Sequence, residues 1–412
     1  MPAGQALQEW KNHWPLALAA AFGMTLSMLH VYSLGAFMAP MEEELKWSRA
    51  AIAGGLTISS LVGALLSPFM GILIDRLGCR RVALPGAALF LLSTCLLTFT
   101  TRSVWSWWGI WFLVSLTLSL VRPAVWTKAV SAVFHRGRGL ALAAALSGTS
   151  IASLLGPVAA TYLIEALGWR MAYVALALLW ASFVLPMLYF FFDRADHKAG
   201  RDVASAPISK GYSLREALTS SHFYRLGFAT IVIAVVVIGM TVHLIPLLTG
   251  KDMPKGEAAV IAGSVGVVSL IGRFATGAML DRWNGPLIGA FSAVLPAMAA
   301  LILLLCEATP LNAILAVCLL GFSLGAELDV IAYFTTRYFG LKNFGAIYGS
   351  IASLLAIGTG LGPLLAGLCF DMTGKYDFAL MCVPVLCVVT AIMLGTLGAY
   401  PDFDREKATE TP

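Results

Sequence analysis

The chain has 412 residues, 59% of them hydrophobic and only 12% charged, about half the charge of an ordinary soluble domain. That balance excludes a globular protein with water as its main solvent. The net charge of +5 does not point to nucleic acid, because the basic residues punctuate apolar stretches instead of gathering on one polar face.

A helix crosses a bilayer core with roughly 20 mostly apolar residues. Stretches of that kind follow one another near residues 14–38, 50–74, 82–100, 104–133, 139–167, 171–192, 223–248, 257–280, 286–306, 311–334, 344–370 and 378–400, twelve in all. The first is too long, and too poor in a small-residue cleavage site, for a secretory signal peptide. The seven cysteines lack metal-ligand spacing and mostly fall inside the apolar stretches, where they read as small core residues. No metal site, no cofactor and no enzymatic chemistry is expected.

The longest polar stretch, 193–222, separates six spans from six and reads as a cytoplasmic linker between a bundle over 1–192 and a bundle over 223–412. With both termini inside, seventeen Lys and Arg fall in cytoplasmic segments and seven outside, the asymmetry of a cytoplasmic (inner or plasma) membrane protein. The halves also echo each other. Gly71-Ile-Leu-Ile-Asp75-Arg76 recurs as Gly277-Ala-Met-Leu-Asp281-Arg282, and Gly156-Pro157 as Gly362-Pro363, both at an offset of 206 residues. The expected fold is therefore an all-α membrane protein of twelve transmembrane helices in two pseudo-symmetric six-helix bundles. Tandem halves around a central site are a common architecture of secondary transporters.

At these residues the chain resembles the major facilitator superfamily. Gly71-Ile-Leu-Ile-Asp75-Arg76-Leu-Gly78-Cys-Arg80-Arg81 is similar to that superfamily's signature loop between spans two and three. The resemblance implies that Gly71, Asp75, Arg76, Gly78, Arg80 and Arg81, with Asp281 and Arg282 in the repeat copy, latch the cytoplasmic side. Asp75 can meet a helix N-terminus or a neighbouring Arg, and Gly71 permits close helix packing. The repeat copy departs from the pattern, with Trp283-Asn284 in place of Leu-Gly. Within the superfamily, four passages resemble the monocarboxylate porter and oxalate:formate antiporter group. They are Phe134-His-Arg136-Gly-Arg138-Gly139-Leu-Ala141, Gly168-Trp169-Arg170, Gly272-Arg273-Phe274 with Gly277, and Arg337-Tyr-Phe-Gly340 with Phe344-Gly-Ala-Ile-Tyr348-Gly349. The animal porters' span-one signature and the oxalate carrier's span-eleven lysine are absent.

Ionisable residues inside spans carry the candidate chemistry. Arg273 sits in mid-span with Ser269 and Gly277 on its face, and a planar guanidinium grips a carboxylate through two parallel hydrogen bonds. The resemblance implies the same substrate-binding role. Glu327 and Asp329 lie about 200° apart around one helix, so one faces the substrate path and the other a neighbouring span; either could exchange protons, or either could serve only in a permanent ion pair. Asp329 and Tyr333 share a face and can pair. Arg122 lies at the pseudo-equivalent depth and is expected to pair with Glu327 or Asp329, with Trp126 one turn on for a cation–π contact. Tyr32, Trp126, His243 and Tyr333 are candidate substrate contacts, and Pro157 a gating bend.

Two arginines against two carboxylates sum to zero, so an added monoanion is balanced by one proton. The function expected is proton symport of a small organic acid, most of all a monocarboxylate, by alternating access in a monomer embedded in the bilayer. Anion exchange is the alternative, and proton-coupled drug export a more distant one. No Walker-type loop that would bind ATP occurs in the sequence.

Overall fold

The computed structural model describes residues 2–134, 138–192, 211–340 and 342–401, without the side chains of 2–7, Pro68, Asp75, Arg138 and Asp281. Residues 193–210 of the expected linker, Arg136, and the tail beyond 401 lie outside the described residues, as do the side chains of the two candidate latch carboxylates. Among the described residues the regular elements are all helices: α1 (Pro2–Leu45), α2 (Arg49–Leu77), α3 (Cys79–Cys95), α4 (Val104–Leu118), α5 (Pro123–Val133), α6 (Arg138–Phe191), α7 (Leu214–Thr219), α8 (Ser221–Thr249), α9 (Lys255–Arg282), α10 (Gly285–Leu305), α11 (Pro310–Phe339), α12 (Phe344–Thr373) and α13 (Asp377–Gly395).

Among the described residues eleven stretches are long and apolar enough to cross a membrane, one of them 52 residues long. At 1.5 Å per residue that stretch would measure roughly 78 Å, more than twice a bilayer core. It is two spans: Gly168 interrupts α6 with φ 74 and ψ 158, backbone angles open essentially to glycine alone. The count of twelve follows. Large apolar side chains line the outside, with Trp105 77% and Met372 84% exposed, as expected of a surface whose solvent is lipid.

The chain divides into two compact units, the first comprising 1–202 and 241–267, the second 203–240 and 268–412. In the first unit α1 lies tightly on α6, where Gly148 leaves no room for a Cβ against the Ala21 carbonyl. The α6 joint is clamped to the end of α1. Trp169 Nε1 donates to Glu44 Oε2 at 2.6 Å, Arg170 ion-pairs with the same carboxylate, and the Arg170 guanidinium stacks 4.2 Å over the Trp169 ring. The Gly168-Trp169-Arg170 passage is thus a turn followed by two residues that hold it in place.

The expected single span over 104–133 is broken. α4 ends at Leu118, a 3-10 turn covers Ser119–Val121, and Arg122 is extended at φ −68, ψ 161 before α5 begins at Pro123. The cause is local: the Pro123 ring disfavours helical angles at the preceding residue and is itself well placed at a helix start. The carbonyl of Val121 at the break accepts from Ser27 Oγ at 2.6 Å and Trp126 Nε1 at 2.8 Å, which is how a membrane protein tolerates irregular backbone at that depth.

In the second unit α7 opens with a capping box, in which Ser213 and Glu216 cap each other's backbone N–H groups; the Ser213 backbone N–H and hydroxyl hold the Glu216 carboxyl below its usual range. The segment after α13 is strapped down by Tyr338 Oη to the Gly398 carbonyl (2.9 Å), His222 at the Leu397 carbonyl (3.1 Å) and Arg225 to the Thr396 carbonyl (2.7 Å).

Candidate functional site

The second unit carries the densest buried charge. α9 and α11 approach each other almost backbone to backbone: a Cβ on Gly325 would strike the Ser269 carbonyl, and one on Gly272 would lie 2.7 Å from the Phe322 carbonyl. Small residues at a crossing permit this approach, and it sets Arg273 of α9 beside the turn of α11 that carries Glu327 and Asp329. Arg273 is 6% exposed and its Nη1 lies 3.3 Å from Asp329 Oδ1. Arg273 also acts electrostatically on the half-buried Glu327, so one guanidinium serves both acids although they diverge around α11. Arg273 Nε and Glu327 Oε1 are buried with no hydrogen-bond partner among the described residues. Tyr348, on α12, lies in the field of both Asp329 and Arg273. Its signal in the sequence is an aromatic hydroxyl one turn into an apolar span, too common a feature to single it out.

Tyr333 is placed elsewhere than expected. It sits with Tyr400 at 6.4 Å between ring centroids and under Arg337, whose guanidinium is 5.9 Å from its ring. No hydrogen bond between Tyr333 and Asp329 occurs among the described residues; the side chain turns toward the strapped segment. Burial, with Tyr333 close by, pushes the Tyr400 phenol up to about 12, so it remains a neutral hydroxyl there.

In the first unit Arg122 occupies the break between α4 and α5. Its Nη2 donates to the Ser59 carbonyl at 2.8 Å, its guanidinium fills the space left by Gly63, and its Nε is buried without a hydrogen-bond partner among the described residues. Trp126 is fully buried, packs edge-on to Phe192 at 5.5 Å and donates to Val121; its place is inside the packing around the break. Tyr32 is buried on α1, with its Cβ within contact distance of the Gly156 position beside Pro157 of α6. His243 is buried as well, at 1% exposure. His30 lies among Phe90, Trp111 and Tyr173 around a cavity of about 20 Å³ inside this unit, room for about one water molecule.

The signature loop is a one-residue joint. α2 ends at Leu77 and α3 begins at Cys79, with Gly78 at φ 87 and ψ 157 between them. Arg76, Arg81 and Arg282 are exposed. Arg80 donates to the Tyr189 carbonyl at 3.1 Å and lies 6.0 Å over that tyrosine's ring. The close packing expected at Gly71 is not made here: a Cβ at that position meets nothing within 4 Å. In the repeat copy the two-residue link Trp283-Asn284 turns with Asn284 at φ −64, which explains why that copy dispenses with glycine.

The profile of the Major Facilitator Superfamily matches residues 20–363. The chain belongs to that superfamily, whose members are transporters, not enzymes. Among its relatives, monocarboxylate transporter 11 of Mus musculus is 25% identical over 97% of this chain and 90% of its own length. Multidrug resistance protein MdtG of Salmonella heidelberg (strain SL476) is 26% identical over 91% of this chain and 89% of its own length. A crystal structure of a mutant of the nucleoside transporter NupG shares the fold at a TM-score of 0.73 with 12% identity, covering 92% of this chain and 98% of that one. The protein is thus a multi-pass membrane transporter of a small substrate.

Proposed function

We propose that the protein carries a small monocarboxylate together with a proton, with Arg273 as the anchor of the anion. The observation that carries this reading is a buried guanidinium held by Asp329 at 3.3 Å, with its Nε unpaired among the described residues and with Glu327 close enough to act on it. A carboxylate substrate competes with Asp329 for the guanidinium fork. When it wins, Asp329 would be left as an uncompensated buried charge, which is costly, and a proton on that carboxylate restores neutrality. The substrate enters as an anion, the proton rests on Asp329 or Glu327, and both leave together on the far side. Arg122, at the broken fourth span of the first unit, is a further cation in the apolar interior, held on the Ser59 carbonyl.

The names of the relatives pull toward different cargoes, monocarboxylates and drugs. The buried Arg273 favours the acid, because it would repel a cationic drug. The decisive measurement is uptake into proteoliposomes. An inward proton gradient should drive accumulation of a short monocarboxylate, with no need for an internal anion. Uptake that ignores the gradient and requires internal carboxylate would replace symport with exchange, and no uptake of any carboxylate would end the anion reading.

A further inference from the structure

Arg80 is one of the signature-loop arginines that lie outside the site proposed for the carboxylate. It stands at the head of a groove between α3 and the second span of α6. Arg80, Leu84 and Ala88 follow each other at intervals of four along α3, so they share one face. Ala181, Leu185 and Tyr189 do the same on α6, and Pro85, Pro186 and Phe190 complete the lining. The groove is shallow and open to the outside, with about 650 Å³ of space along it. It stays open for a sequence reason: the small side chains of Ala88 and Ala181 leave a trough between the bulkier Leu84, Leu185 and Tyr189. Among the described residues the charged group at its mouth is Arg80, fixed there by the Tyr189 carbonyl and ring.

Position completes the argument. α3 begins at Cys79 and α6 ends at Phe191, so the cation lies at the membrane boundary and the apolar trough runs from it into the hydrocarbon. From Arg80 to Ala88 the trough descends roughly 12 Å. A positive group at the headgroup level above an open apolar groove is complementary to one class of molecule, an anionic phospholipid. We propose that the α3–α6 groove binds such a lipid, with its phosphate at Arg80 and one acyl chain along Leu84, Ala88, Ala181 and Leu185.

The test uses the full-length protein in phosphatidylcholine nanodiscs doped with phosphatidylglycerol. It reads the unfolding midpoint and, after detergent exchange, the lipid retained in native mass spectrometry. Phosphatidylglycerol should raise the midpoint and be retained over phosphatidylcholine, and Arg80→Gln should reduce that preference about fivefold, the effect of one cation near an anionic headgroup. Ala181→Leu, which fills the trough while leaving the charge, should lower retention of both lipids, and Arg76→Gln should preserve the wild-type preference. The proposal is overturned if the two lipids are retained equally by the wild type or if Arg80→Gln keeps the preference. Equal stabilisation by inorganic phosphate alone, or coverage of this face by a second copy of the chain, would overturn it as well.

Discussion

Asp329 lies 3.3 Å from Arg273, longer than the roughly 2.7–2.9 Å of a tight charge-assisted bond, a spacing that suits the proposed competition with a substrate carboxylate. Arg273→Lys keeps the charge but loses the planar fork, so carboxylate-induced thermal stabilisation of the purified protein should weaken roughly 10- to 100-fold in apparent affinity. An unchanged titration would remove Arg273 from the binding role. The two acids should separate by pH. If Asp329 carries the proton, Asp329→Asn abolishes the rise of uptake with falling external pH while leaving carboxylate counterflow, and Glu327→Gln retains the rise. The reverse pattern would assign the proton to Glu327. These charges were legible in the sequence because an ionisable residue inside an apolar stretch has few explanations. Their pairing was not. Asp329 and Arg273 are 56 residues apart, and only the crossing at Gly272 and Gly325 brings them together.

At the scale of the helix, glycines mark both joints and inclusions. Gly168 takes angles that a Cβ strains, so Gly168→Ala should cost about 1–3 kcal/mol, read as a lower unfolding midpoint in detergent. Gly63 and Gly71 lie two turns apart on α2 and should behave oppositely. A methyl group at Gly63 collides with the Arg122 guanidinium, whereas one at Gly71 meets nothing within 4 Å. Gly63→Ala should therefore lower stability, while Gly71→Ala should raise it by about 0.5–1 kcal/mol through helix propensity alone. Equal effects would show that Arg122 can be rehoused without penalty. Sequence periodicity located the spans well because length and hydropathy are additive along the chain. It missed the interruption at Ser119–Arg122, where no polar run divides the apolar stretch and only the Arg122-Pro123 pair signals the change.

For the whole molecule, twelve spans and a lipid-facing apolar surface follow from composition. Orientation rests on the distribution of lysine and arginine, and it can be checked directly. In a cysteine-free background, Lys375→Cys should react with a membrane-impermeant maleimide in intact cells, and Arg282→Cys only after permeabilisation; the opposite labelling would invert the topology. Both positions are near helix ends, Arg282 exposed at the end of α9 and Lys375 just beyond α12.

The interrupted fourth span has an optical consequence. The indole N–H of Trp126 holds the Val121 carbonyl across the break, so tilting α5 about Arg122 requires that bond to stretch or the indole to travel with the helix. Indole emission depends on hydrogen bonding and surroundings. In a background where the other ten of the chain's eleven tryptophans are replaced by phenylalanine, Trp126 becomes a built-in gauge of that hinge, and its emission should shift when a carboxylate arrives.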